Sequence, residues 1–227
     1  MRYLSNCAES ARPCFNATAF EEGGGEIRVE DVISPNGWWE GTEDESRADR
    51  FRDALEKMHG EVQLYINSPG GDVFAAGRMY SDLLDYKAKA GNKVIARVEA
   101  LSASAASYLM MAADEIVLLP LSQLMIHRVS TVAVGNAEEM RQAQQSLEEA
   151  DAGIAAVYAA RTKKDSAEIL KMMEDETWMS AESAIKNGFA DRIAENGHAA
   201  EITAKKKHCK NTDTTNMKAR LMLAATI

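Results

Sequence analysis

Residues 61–73 read Glu61-Val62-Gln63-Leu64-Tyr65-Ile66-Asn67-Ser68-Pro69-Gly70-Gly71-Asp72-Val73. Val62, Leu64 and Ile66 recur at every second position, the period of a strand with one buried face. Pro69 fixes φ and the two glycines admit φ > 0, so this strand runs into a tight loop. From Val73 the apolar residues Ala76, Tyr80, Leu83 and Leu84 return at helical spacing, and Val94 to Val98 read as a further strand. Upstream, Ala48, Phe51, Leu55 and Met58 form a helical stripe. Ile27, Val29, Val32 and Ile33 form a first strand region, with a Pro35-Asn36-Gly37 turn and Trp38-Trp39 in between. Strands and helices alternating in this way predict a layered α/β domain.

Downstream, Ala100 to Ala113 is nearly all small or apolar, and as a helix it would be buried on every side. Short strands follow at Ile116–Leu119 and Leu124–Ile126, around Pro120. A long helix then opens at Asn136, with Glu139 three residues on as a capping box. Its apolar positions Met140, Ala143, Leu147, Ala150, Ile154 and Val157 make a heptad-type seam, which needs a partner surface on the domain's own flank or on another subunit. Ala167–Met173 is a shorter helix, Trp178 begins a strand, and Ser180 caps a last helix that Gly188 ends. Three regions result: a poorly ordered lead over 1–25, a folded domain over 26–195, and a flexible polar tail over 196–227. Within the tail, Met217–Leu223 has the pattern of a short amphipathic helix.

Composition narrows the function classes. The chain has 227 residues, 46% hydrophobic and 27% charged, with a formal net charge of −9. That balance is ordinary for a globular domain and argues against a nucleic-acid partner. The longest apolar stretch, Ala103–Ala113, is too short to cross a bilayer and is closed by Asp114 and Glu115, so no membrane role is expected. The N-terminal residues carry no apolar h-region and read as no secretory signal. Cys7, Cys14 and Cys209 form no C-x-x-C pair, and their odd number suits free thiols in a reducing cytosol.

Few residues can serve as a general base. Of the four histidines, His198 and His208 fall in or near the tail and His59 stands at a helix end. His127 alone follows an apolar strand, which would hold its ring in place. Ser104 lies in Ala100-Leu101-Ser102-Ala103-Ser104-Ala105-Ala106-Ser107. A serine at the first turn of a buried helix meets unpaired backbone N–H groups, and small neighbours let a substrate backbone approach. Alternating Ser and Ala also simply allow close helix packing, so composition leaves both readings open. The Asn67–Asp72 loop is either a plain turn or a device for aiming N–H groups at a carbonyl oxygen. Phosphate cradling is disfavoured because no Gly-Lys-Ser/Thr follows.

Three motifs in this order, Tyr65-Ile66-Asn67-Ser68-Pro69-Gly70-Gly71, Ala103-Ser104-Ala105-Ala106 and Leu124-Met125-Ile126-His127, resemble the proteolytic subunit of Clp protease. The similarity spans roughly 27–195 and includes Pro120 and the Trp178-Met179-Ser180-Ala181 segment with Glu182, Ala184, Gly188 and Asp191. It implies a ClpP/crotonase-like spiral of ββα units with a protruding handle helix, the one opened by Asn136. Carried over by position, it implies Ser104 as nucleophile, His127 as base, and the N–H groups of Gly71 and Ala105 as oxyanion hole. The family's aspartate aligns with Glu176, with Asp175 one residue earlier, and a Ser–His dyad without an acid is a further option.

The same resemblance implies a serine endopeptidase that needs no cofactor or metal and takes polypeptide substrates. Arg128–Val134 would pair with an extended substrate, and the chains would assemble as heptameric rings, single or stacked. The lead lacks the apolar segment that serves the ATPase ring in housekeeping subunits. That lead and the tail resemble the proteases that cut phage scaffold and capsid proteins, acting in the cytosol of a bacterium or infected host; the need for an unfoldase stays open. Two other readings compete. A crotonase-like acyl-CoA hydratase or isomerase would share the spiral but usually works with carboxylates, and a non-catalytic scaffold would keep the fold alone.

Overall fold

Alternating residues of the central strands divide the sheet into an apolar face and a polar one. The computed structural model describes residues 15–34 and 47–194. The strands are β1 (Phe15–Ala19), β2 (Gly25–Glu30), β3 (Glu61–Ser68), β4 (Lys93–Ala103), β5 (Glu115–Leu118), β6 (Gln123–Ile126), β7 (Thr177–Ser180) and β8 (Arg192–Ile193). The helices are α1 (Arg47–Glu56), α2 (Val73–Ala88), α3 (Ala105–Leu109), α4 (Ala137–Thr162), α5 (Ser166–Glu174) and α6 (Ala181–Lys186), with a 3-10 turn at Met110–Ala112. Ile27, Val29, Val62, Leu64, Ile66, Val94, Ala96 and Val98 are wholly buried in one core with Phe51, Leu55, Met79, Leu83 and Leu109. The opposite face carries Arg28, whose guanidinium carbon lies 4.2 Å from the Tyr65 ring centroid and which pairs with Glu26 and Glu99. The α/β expectation and the handle-like long helix are both met.

The sheet order is β1-β2-β3-β4-β5-β8, with β6 pairing β4 and β7 pairing β6. β4 is the branch point. Its first half, Ile95–Val98, pairs in parallel with Glu115–Leu118, while Leu101–Ala103 pairs in parallel with Gln123–Met125. One strand thus feeds two branches of the sheet, and its C-terminal end lies on the β6 branch.

Several expectations are corrected. The lead assigned to 1–25 contains β1, an antiparallel partner of β2. Only Phe15 of β1 is buried, against Phe51 at 5.2 Å, so the segment shows no alternation for a pattern to catch. Val32 and Ile33 do not extend β2. Asp31 takes φ 64, and Ile33 makes only an isolated bridge to Gly71. Ala100–Ala113 is not one helix: the strand continues to Ala103, and five helical residues and a 3-10 turn follow. Residues buried on all sides carry no period, so strand and helix look alike there.

α4 has the expected capping box, with Asn136 accepting from the Glu138 and Glu139 amides and Glu139 accepting from the Asn136 amide. Its buried residues are Asp151, Ala155 and Tyr158, one position along from the apolar seam. Ile154 and Val157 still pack on the domain's core, whereas Met140 is exposed. Within the seam, then, the last turns use the chain's own flank. The 1–14 part of the lead, the turn at 35–37, Trp38-Trp39 and the 196–227 tail lie outside the described residues. So do Cys7, Cys14, Cys209, His198 and His208.

Candidate active site

The ends of β3, β4 and β6 and the start of β7 meet at one place, as the branch in β4 requires. The Ser104 amide donates to the Met125 carbonyl at 3.0 Å, extending the β4–β6 pairing one step past Ala103. Ser104 then takes φ 54 and ψ −127, a conformation L-residues seldom adopt, and caps α3 without using its side chain. Such a turn costs on the order of 1–3 kcal/mol and lifts the hydroxyl off the strand. The freed Ser104 Oγ lies 2.7 Å from His127 Nε2, one residue past the end of β6. Both side chains are half-buried.

The glycine loop is built against this serine. A bulge after Ile66 brings Ser68 opposite Ser102. The buried Ser68 hydroxyl donates to the Asp31 carbonyl at 2.6 Å and accepts from the Gly70 amide at 3.1 Å. Gly70, at φ 92, is irreplaceable on steric grounds: a Cβ there would stand 2.6 Å from the Ala103 carbonyl oxygen and 2.7 Å from Ser104 Cβ. At the bridge, the Ile33 amide donates to the Gly70 carbonyl and the Asp72 amide to the Ile33 carbonyl. In a parallel pairing of this kind the central residue's own N–H points the other way, so the Gly71 amide is turned from Ile33. Asp72 closes the loop by accepting from the Ala75 amide as N-cap of α2.

Neither acid reaches the histidine. Asp175, the C-cap of α5, bonds Lys171 Nζ at 2.8 Å. Glu176 takes φ 48, and its carboxylate accepts from Trp178 Nε1 at 3.2 Å. No hydrogen bond from His127 Nδ1 forms among the described residues. Serine, histidine and the glycine loop are thus brought together, and Glu176 stands close by in the backbone register with its side chain turned elsewhere.

Comparison with known proteins settles the family. A family model described as Clp protease matches residues 53–197, more than half of the chain. The chain belongs to the Clp protease family. It is similar to the ATP-dependent Clp protease proteolytic subunit of Deinococcus radiodurans, with 32% identity over 136 residues, 59% of this chain and 64% of that protein. The chain therefore spans less than two thirds of that relative's length. The family match includes Gly70, Gly71, Ser104, His127 and Glu176, while β1 and β2 precede it. Among the described residues, no helix of this Clp family chain is long and apolar enough to cross a membrane.

Sequence reasoning passed over a second set of residues around the site. Buried Asp151 on α4 accepts from the Val129 amide at 2.8 Å and from Arg128 at 3.2 Å, holding the segment just past His127. Buried Ser107 and Tyr158 bond each other at 2.6 Å directly behind Ser104. Burial pushes the Tyr158 phenol well above its ordinary range, with the Ser107 bond opposing, and burial does the same for Tyr108, which donates to the Val73 carbonyl. The available signal was polar residues seven apart, Asp151 and Tyr158, beside an apolar helix seam.

Proposed function

We propose that this chain is a serine endopeptidase of the ClpP type. The observation that carries it is the 2.7 Å contact of Ser104 Oγ with His127 Nε2 at a strained backbone turn of the kind that clusters at active sites. With its ring proton on Nδ1, His127 accepts the Ser104 proton at Nε2 as Oγ attacks a peptide carbonyl. The carbonyl oxygen, now an anion, takes hydrogen bonds from the Gly71 and Ala105 amides. Collapse breaks the C–N bond, and the leaving amine takes the proton from His127. Water then attacks the acyl ester by the same proton route, which releases the acid and restores Ser104.

Polypeptides are the substrates in this reading, and the largely exposed segment Arg128–Val134, outside any strand of the sheet, receives them by pairing with an extended substrate. Phage scaffold and capsid proteins are the narrower substrate class, drawn from the sequence resemblance. Heptameric rings are the proposed assembly, supported by the exposed start of the α4 seam at Met140. A specific observation favours a second form of the site. Because Glu176 is engaged by Trp178, the Ser–His pair of the isolated chain works as a dyad, or waits for Glu176 to turn.

The test is labelling with a fluorophosphonate probe, mapped by mass spectrometry, on wild type, Ser104→Ala and His127→Ala. Label on Ser104 that disappears in both variants is the expected result. Assembled wild-type protein that takes no label would overturn the peptidase reading in favour of a scaffold.

A further inference from the structure

Two hydroxyls hold the Ser104–Ala105 peptide from behind. Ser107, wholly buried on α3, donates to the Ser104 carbonyl from its amide at 2.9 Å and from its Oγ at 2.6 Å. The same Oγ lies 2.6 Å from the hydroxyl of Tyr158 on α4. A serine hydroxyl has one proton, here committed to the carbonyl, so Tyr158 is the donor to Ser107. The direction of the chain is therefore fixed: Tyr158 O–H to Ser107 O–H to Ser104 C=O. Burial keeps the phenol protonated, and its ring is seated edge-on against Phe189 with centroids 5.5 Å apart.

The peptide being held is the one that ends in the Ala105 N–H. A trans peptide points its C=O and N–H in opposite directions, and there is no cis bond among the described residues. Pinning the carbonyl toward Ser107 therefore aims the Ala105 N–H away from the core. The Ala105 nitrogen adjoins Gly70 on that side. The hold is needed because Ser104 sits at φ 54 and ψ −127, and rotation of this peptide plane is the easiest way to relieve that turn. Loading the carbonyl with two donors also draws electron density from the amide and strengthens its N–H as a donor.

We propose that Tyr158 and Ser107 are positioning residues for the oxyanion hole, locking the Ser104–Ala105 peptide so that the Ala105 N–H faces the reacting carbonyl oxygen. The proposal rests on the reading of Ser104 as nucleophile. It also ties the geometry of the site to the seating of α4. A buried pair that merely satisfied its own hydrogen bonds would affect stability and nothing else.

The experiment compares wild type, Tyr158→Phe, Ser107→Ala, the double variant of these two, and Ser107→Thr as full-length assembled protein. It reads kcat and KM on a peptide substrate, affinity for a peptide aldehyde, melting temperature, and fluorophosphonate label on Ser104. The aldehyde adds to Ser104 to give a hemiacetal whose oxygen occupies the hole. Tyr158→Phe is expected to lower kcat about tenfold, less than the hundredfold or more that deleting an oxyanion donor costs, with KM unchanged. Aldehyde affinity falls by a similar factor, Ser107→Thr retains most of both, and the double variant is no worse than Ser107→Ala alone. Should either single variant fail to assemble, the other carries the same readouts. Wild-type kcat and aldehyde affinity in both Tyr158→Phe and Ser107→Ala, with Ser104 still labelled, would overturn the proposal and leave the nucleophile standing. A lowered melting temperature with kcat intact would do the same. Absence of label on wild-type Ser104 would instead remove the nucleophile reading, and this proposal with it.

Discussion

His127 and Glu176 occupy facing positions one step beyond the β6–β7 ladder, whose last pair is Ile126 opposite Thr177. The backbone register thus delivers a carboxylate across from the histidine, although the Glu176 side chain bonds Trp178. Trp178 is 52% exposed, and a hydrogen bond at such a site contributes about 1 kcal/mol or less, so turning Glu176 toward the ring costs little. Glu176→Gln is expected to lower kcat by roughly 10⁴-fold, the scale for losing the acid of a triad. Asp175→Asn, which removes one of the two carboxylates paired with exposed Lys171 and leaves Glu174, should stay within about twofold. Peptide hydrolysis by the two variants checks this, and equal activity in both would mean the pair works as a dyad.

Gly70 and Gly91 separate the cost of backbone conformation from the cost of contact. Both have positive φ, 92 and 83, but a Cβ at Gly91 would meet nothing within 4 Å, while one at Gly70 strikes Ala103, Ser104 and Ala105. Gly91→Ala should cost about 1 kcal/mol and lower the melting temperature by a few degrees with activity kept. Gly70→Ala should abolish most of the acylation of Ser104, since the loop must withdraw or the serine must shift. Thermal melts and label kinetics on the two variants decide it. Equal acylation in both would mean the close approach at Gly70 has no bearing on the chemistry.

The fold was legible wherever burial was one-sided. Val62, Leu64 and Ile66 declared a strand, the Pro69-Gly70-Gly71 loop declared its end, and Asn136 with Glu139 declared the start of α4. Where burial was total the period vanished, which is why Ala100–Ala103 read as helix. At Phe15–Ala19 burial was nearly absent, and no pattern formed at all. The Ser104–His127 contact was anticipated through motifs rather than through physics, because nothing local in a serine announces φ 54. Ser107, Tyr158 and Asp151 act through pairings across 22 to 51 residues, which no window along the chain can contain.

Glu115 gives the acid side of the stability profile. Its hydrogen bond from Arg192 at 2.7 Å, with Lys93 farther off at 3.5 Å, holds its carboxyl below the usual carboxylate range. A depressed pKa means that the folded chain resists protonation that the unfolded chain accepts. The contribution is therefore present above the usual range and is lost as pH falls through the folded value. The group is partly exposed, so the effect is modest. The melting-temperature gap between wild type and Glu115→Gln should be widest near neutral pH and should close below about pH 5. A gap that is constant across that range would mean the pair contributes packing and no charge.

Asp151 shows how α4 controls the segment that follows the base. Asp151 is 3% exposed, and its carboxylate accepts from both the Val129 amide and the Arg128 guanidinium, while the Arg128 amide donates to the Met173 carbonyl at 3.2 Å. Asp151→Ala leaves the Val129 N–H without its acceptor, and because Val129 is only half-buried the cost falls at the low end of the roughly 1–3 kcal/mol of an unsatisfied buried donor. Arg128 is 43% exposed and recovers water, so the amide is the larger loss. Asp151→Asn retains an acceptor oxygen for Val129 and should cost less. If Arg128–Val134 is the segment that receives substrate, loosening its first residues raises KM more than it lowers kcat. The expected order in melting temperature is wild type, then Asp151→Asn, then Asp151→Ala, with peptide KM rising in the same order. A KM unchanged in Asp151→Ala despite a lowered melting temperature would show that this segment does not bind the substrate.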